Sequence, residues 1–251
     1  MGKRRRQITR LADYSGLALL KSYVHAIGQP KAVFIWIPKT AGTSVFSLLG
    51  APKLKSLHLA RFRFPNRGIV TFGHMDYAEL VRRGIVSAAF DRSAFKFAFS
   101  RNPYERAVSL FDYVQRYGVL TEGGSFLSFC RRLAAGECDD IGLYNVMGLS
   151  QCNPQIRWLR DVELDFVGRV DNLKQDSRRV AERLGLEFIA TPHLNASERR
   201  DYRSYYCEES RQIVEDFYGE DFSQLGYEKS LGDGNDFGSD IGGDSGGAGV
   251  R

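Results

Sequence analysis

A chain of 251 residues, 43% hydrophobic and 26% charged, has room for one full α/β core and the composition of a globular protein rather than a disordered or membrane-embedded one. Its formal net charge is +5, and after Leu231 four Asp (233, 236, 240 and 244) face the single Arg251, so the body of the chain is more basic still. That balance suits anionic ligands, while no helix-turn-helix, zinc-ligand or RNA-binding motif points to nucleic acid.

The cysteines at 130, 138, 152 and 207 lack paired CxxC spacing and are too few for a disulfide scaffold. Cys130 and Cys138 bracket a short segment and could pair in an oxidising compartment; in a cytosolic protein the expectation is free, buried thiols.

Residues 1–30 open with Lys3, Arg4, Arg5 and Arg6 and continue into a region broken by Asp13, Gly16, Lys21 and His25. The pattern predicts a basic N-terminal arm and an amphipathic helix. It holds no apolar run of bilayer length, and its apolar part is too short and interrupted for a signal peptide. A soluble, cytoplasmic protein is the expectation.

Residues 33–49, VFIWIPKTAGTSVFSLL, read as strand, turn and helix. Val33 to Ile37 is an apolar, β-branched and aromatic run, which predicts a buried strand. Pro38 ends it because it has no N–H for a ladder. Gly42 allows a tight turn or close approach, and Thr43 or Ser44 is the predicted cap of a helix burying Val45, Phe46, Leu48 and Leu49. Such a turn presents free N–H groups to an anion, and Lys39, Thr40, Thr43 and Ser44 add a cation and three hydroxyls. It is not a Walker A loop, in which a Lys follows the second of two glycines; Lys39 precedes the one glycine of this turn.

Ile69 to Tyr77 reads as a short strand running into Gly73 and His74, with a helix predicted over 76–85. If this strand joins the other two in a parallel sheet, His74 stands at the carboxyl edge, where open α/β sheets bind ligands. Residues 95–113, FKFAFSRNPYERAVSLFDY, repeat the strand–turn–helix pattern, with Pro103 in the first helical turn. Arg101 sits at the strand end and Ser109 on the helix. A guanidinium there can grip phosphate oxygens in a bidentate way.

From Gly118 to Arg160 the reading is mostly helical, with an amphipathic stretch from Ser125 to Leu133 and Trp158 in the core. Leu164 to Val170 reads as a strand, followed by a helix capped by Asp171, with Leu173, Val180 and Leu184 inside and Gly185 as its stop. A loop through Asn195, Ser197 and Arg199 leads to a last helix over 202–218. Residues 229–251 are rich in Gly and Asp and read as a disordered tail.

Two of these stretches together carry a resemblance. The order Pro38-Lys39-Thr40-Ala41-Gly42-Thr43-Ser44 resembles the 5′-phosphosulfate loop of sulfotransferases that use 3′-phosphoadenosine 5′-phosphosulfate (PAPS). Arg101 and Ser109, at the spacing R-x7-S, resemble that family's 3′-phosphate motif. Gly73-His74 resembles the catalytic-base segment of the uronyl 2-O-type carbohydrate sulfotransferases, and Asn195, Ser197 and Arg199 resemble the late loop that closes over the nucleotide. The resemblance covers residues 31–228. It implies one P-loop-like α/β domain with a central parallel sheet flanked by helices.

The implied activity is transfer of a sulfuryl group from PAPS to an acceptor hydroxyl, most naturally of a glycan or glycoside. His74 would be the base and Lys39 would stabilise the leaving oxygen. Pro38, Thr40, Ala41, Gly42, Thr43, Ser44, Arg101, Ser109, Asn195, Ser197 and Arg199 would hold the nucleotide, with no metal required. The residues themselves leave two other readings open: a P-loop-type nucleotide kinase or NTPase, and a non-catalytic protein that binds anions or polysaccharides.

Overall fold

The computed structural model describes residues 32–49, 61–64, 68–71, 76–82, 86, 88–118, 120, 124–141, 145–146, 149–189 and 201–231. The architecture is mixed α/β around a small parallel sheet. Strands β1 (Ala32–Ile35), β4 (Phe95–Ser100) and β7 (Phe166–Arg169) lie in the order β1-β4-β7, both pairings parallel. The hairpin strands β2 (Arg61–Phe64) and β3 (Gly68–Thr71) form a separate antiparallel pair. A third pair joins β5 (Asn145–Val146) to β6 (Leu149–Ser150).

All four residues of β1 are buried, as expected of a parallel strand covered on both faces. Side-chain alternation divides the core in two. Phe34, Phe97 and Phe99 face α1 (Gly42–Leu48) and α8 (Leu173–Leu184), packing with Val45, Phe46, Leu49, Val180 and Ala181. Phe34 stacks on Phe97 at 5.0 Å and meets Phe46 edge-on at 5.4 Å, an arrangement that favours the ring quadrupoles. Val33, Ile35 and Ala98 turn to the other face, against Tyr77 and Leu80 of α2 (Tyr77–Arg82) and Trp158 and Leu159 of α7 (Ile156–Leu159). Gly168 is glycine because Phe99 crosses it: a Cβ there would stand 2.6 Å from the Phe99 ring.

A third core is built mainly by the helices α4 (Pro103–Arg116), α5 (Phe126–Ala134), α6 (Cys138–Ile141), α9 (Glu208–Phe217) and α10 (Gly219–Gln224). Helix α3 (Ala88–Ser93) lies just before β4. Ser125 caps α5 by accepting from the Ser128 N–H at 3.1 Å. Cys130, Cys138 and Cys152 are buried. Trp158 lies in the core, as the sequence indicates. Among the described residues no helix is long and apolar enough to cross a membrane.

Several expectations need correction. The first strand ends at Ile35 rather than Ile37, whose N–H instead turns back to the Ile35 carbonyl. Helix α1 begins one residue before Thr43, with Ala41 as its N-cap and no side-chain cap. Strand β3 pairs antiparallel with β2 rather than joining the parallel sheet. After β7 comes a 3₁₀ turn (Val170–Asn172), so Asn172, not Asp171, precedes α8. Gly185 ends that helix in the left-handed region, as expected. The last predicted helix, over 202–218, is divided into a 3₁₀ turn (Tyr202–Tyr205) and α9, and α10 follows beyond it. The N-terminal arm and the residues after 231 lie outside the described residues.

Candidate functional site

The turn between β1 and α1 has unusual backbone geometry. Lys39 and Ala41 both take left-handed conformations, with φ of 69° and 58°. For residues with a Cβ this is unfavourable and persists only where the surroundings impose it. Ala41 in the left-handed region is followed by helical Gly42, the backbone alternation from which anion-binding N–H nests are built. Because α1 is only seven residues long, the local N–H groups and nearby cations matter more here than its dipole.

The other loop residues divide into scaffold and contact groups. Thr40 is fully buried and its hydroxyl donates to the Ile37 carbonyl at 2.9 Å, so it locks the turn. Thr43 is exposed and Ser44 buried. Gly42 carries no side chain because the Trp36 indole occupies the space, with its Nε1 1.8 Å from where a Cβ would be.

Two arginines of the second motif converge on this turn. Arg101 leaves the end of β4; its Nη1 donates to the Lys39 carbonyl at 3.5 Å, and its Nε and Nη2 donate to Glu105 Oε2 at 3.2 and 3.0 Å. Arg106, 1% exposed, donates from Nε to the Pro38 carbonyl and from Nη2 to the Gln151 carbonyl, both at 3.0 Å. The Trp158 and Tyr218 rings lie beside its guanidinium at 5.8 and 5.6 Å, a favourable setting for a desolvated cation.

Helix α4 forms the floor of the site. Asn102 caps it by accepting from the Tyr104 N–H at 2.9 Å, and Pro103 follows in its first turn. Glu105, Ser109 and Tyr113 share one face at i, i+4 spacing. Lys39 reaches both ends of this row, its carbonyl at Arg101 and its ammonium 4.2 Å from the Tyr113 ring centroid. Ser109, buried on the same face, lies between them. Desolvation, reinforced by Tyr117, raises the Tyr113 phenol above its ordinary value, which keeps the ring beneath Lys39 neutral. Asp171 borders the cluster, and its carboxyl is raised because desolvation and the Glu105 charge outweigh Arg169 and Arg101.

The structure therefore brings Pro38, Lys39, Thr40, Ala41, Gly42, Thr43 and Ser44 together with Arg101 and Ser109. His74, Asn195, Ser197 and Arg199 lie outside the described residues. Sequence reading missed Glu105 and Arg106, and also Gln155, which accepts from the Arg101 N–H, and Asp221, which accepts from the Gln155 N–H. Arg106 carried a signal, being a charge among helix positions that are otherwise apolar and buried; Gln155 and Asp221 carried none.

Among the described residues no group of three or more His, Cys, Asp or Glu is placed to hold a metal ion. No protein-family model and no curated protein matches the chain.

Proposed function

We propose that this chain is a PAPS-dependent sulfotransferase built on a P-loop-like domain, acting in the cytoplasm on a hydroxyl of a carbohydrate acceptor. The observation that carries the reading is the contact between the two motifs: Arg101 donates to the carbonyl of Lys39, so a cation-bearing nest and a strand-end guanidinium lie side by side. A ligand with two anionic groups fits that pair, one group at the nest and Lys39 and the other at Arg101 and Ser109.

In this reading the S–O bond to the 5′-phosphate breaks as the acceptor oxygen bonds to sulfur, and adenosine 3′,5′-bisphosphate (PAP) leaves. Lys39 and the loop N–H groups stabilise charge growing on the leaving phosphate oxygen. Arg101 and Ser109 hold the remote phosphate and so orient the reacting group. His74 takes the proton of the acceptor hydroxyl, a task suited to an imidazole that titrates near neutrality.

Parallel calorimetric titrations with PAP, ADP and Mg-ATP test the reading. Tight PAP binding with weak ADP binding is expected. Preference for Mg-ATP moves the chain to the kinase class, and failure to bind any of the three removes nucleotide chemistry from the loop.

A further inference from the structure

Strand β4 ends at Ser100, paired there with Arg169 of β7, and its pairing with β1 has already ended at Ala98. Arg101 is thus the first residue beyond the ladder, and its backbone N–H and C=O both meet the side chain of Gln155. Its Oε1 accepts from the Arg101 N–H at 2.9 Å and its Nε2 donates to the Arg101 carbonyl at 2.8 Å. One carboxamide thus reproduces the paired bonds of a neighbouring strand residue.

Gln155 is itself firmly held. It is 0% exposed, its N–H donates to Asp221 Oδ2 at 2.8 Å, and its Nε2 makes a second contact there at 3.3 Å. The other oxygen of Asp221 accepts from the Ile156 N–H at 2.9 Å. Four residues before Gln155, the Gln151 carbonyl accepts from Arg106, which also holds the Pro38 carbonyl of the loop. The short segment 151–155 therefore grips both the strand end that carries Arg101 and, through Arg106, the loop that carries Lys39.

We propose that Gln155 is a positioning residue that sets the distance and direction between the Arg101 guanidinium and the Lys39 loop. It thereby makes the site selective for a ligand with two anionic groups. A guanidinium is effective toward phosphate only when its planar fork is aimed, and a side chain as long as arginine amplifies any rotation of its own backbone. Gln155 touches no ligand; it fixes the peptide from which Arg101 extends. This inference rests on the sulfotransferase reading, because the second anion is taken to be the 3′-phosphate.

The test compares PAP with adenosine 5′-monophosphate, which lacks the 3′-phosphate, on the full chain by calorimetry. The wild type is expected to prefer PAP by at least about tenfold, in keeping with a charge-assisted contact. Gln155→Met keeps the bulk and removes both bonds, and is expected to weaken PAP about tenfold while leaving the monophosphate affinity unchanged. A variant that keeps the wild-type preference overturns the proposal. So does one in which both affinities fall together with the melting temperature, since that marks a merely structural role.

A wild type that does not distinguish the two nucleotides overturns the sulfotransferase reading, and this inference with it. Should Gln155→Met fail to fold, Gln155→Asn, too short to span both backbone groups, is measured in the same way and judged by the same ratio.

Discussion

The guanidinium of Arg106 reaches the Pro38 carbonyl across 68 positions of sequence and closes a 3.0 Å hydrogen bond inside the core. A buried cation at the base of the loop is a commitment of the fold, because every group it satisfies is orphaned when it is removed. Arg106→Met keeps the stem's packing but leaves the Pro38 and Gln151 carbonyls unpaired. We expect a loss of about 3 kcal/mol, read as a lower urea midpoint at unchanged m-value.

Gly42→Ala places a methyl group where the Trp36 indole lies. Overpacking of this kind destabilises by about 1–3 kcal/mol. Since the displaced ring borders the nest, PAP affinity is expected to fall as well. A variant with wild-type stability and affinity would show that the indole moves aside freely.

His74→Ala is expected to lose turnover while keeping PAP affinity, whereas Lys39→Ala is expected to lower kcat by about 10²–10³-fold, the scale seen when one preorganised donor to a leaving oxyanion is removed. Single-turnover sulfuryl transfer with separate PAP titrations checks both. Nearly full turnover in the His74 variant would remove it from the mechanism.

Burial raises the Asp221 carboxyl above the ordinary aspartate value, against the opposing pull of Arg106 and of the hydrogen bonds from Gln155 and Ile156. The folded state therefore binds more protons than the unfolded chain from about pH 3.9 up to the raised value. This group's contribution to stability falls as pH rises through that window and is level above it. The stability difference between wild type and Asp221→Asn should therefore shift against the wild type as pH rises, measured by paired thermal melts. An advantage that grows with pH would mean that the carboxylate is the form the fold prefers.

The cysteines should differ sharply toward alkylation. Burial pushes the Cys130 thiol up, and the residue has no exposed surface. At Cys207, the N-cap of α9, burial also acts upward, but hydrogen bonds from the Ser210 hydroxyl and from the Ser210 and Glu209 backbone N–H groups outweigh it and hold the thiol below its ordinary value. Iodoacetamide followed by mass spectrometry is expected to label Cys207 first and Cys130 only on unfolding.

The parts of the site legible in the sequence were those that depend on near neighbours. The apolar run before Pro38, the buried face of Val45, Phe46, Leu48 and Leu49, the helix start at Pro103 and the Gly185 stop follow from local backbone preference and periodicity. The placement of β3 was not legible, because a run as short as Gly68–Thr71 does not say whether a strand joins a parallel sheet or a hairpin. Nor was the Gln155 clasp, whose partners lie 54 and 66 positions away. A buried glutamine in a turn has no pattern of its own; only the assembled fold shows which backbone it completes.

Trp36 and Trp158 are the only two tryptophans of the chain, and the fold gives them opposite surroundings. Trp158 is sealed beside Arg106 in the interior, while the Trp36 indole rests against Gly42 at the mouth of the loop. An anion that settles on the loop's N–H groups, as the sulfotransferase reading expects, alters the field and solvent around the Trp36 indole more than around the sealed one. The protein thus carries its own optical gauge of loop occupancy, with an internal reference, and its emission can be followed during a titration without attaching a dye.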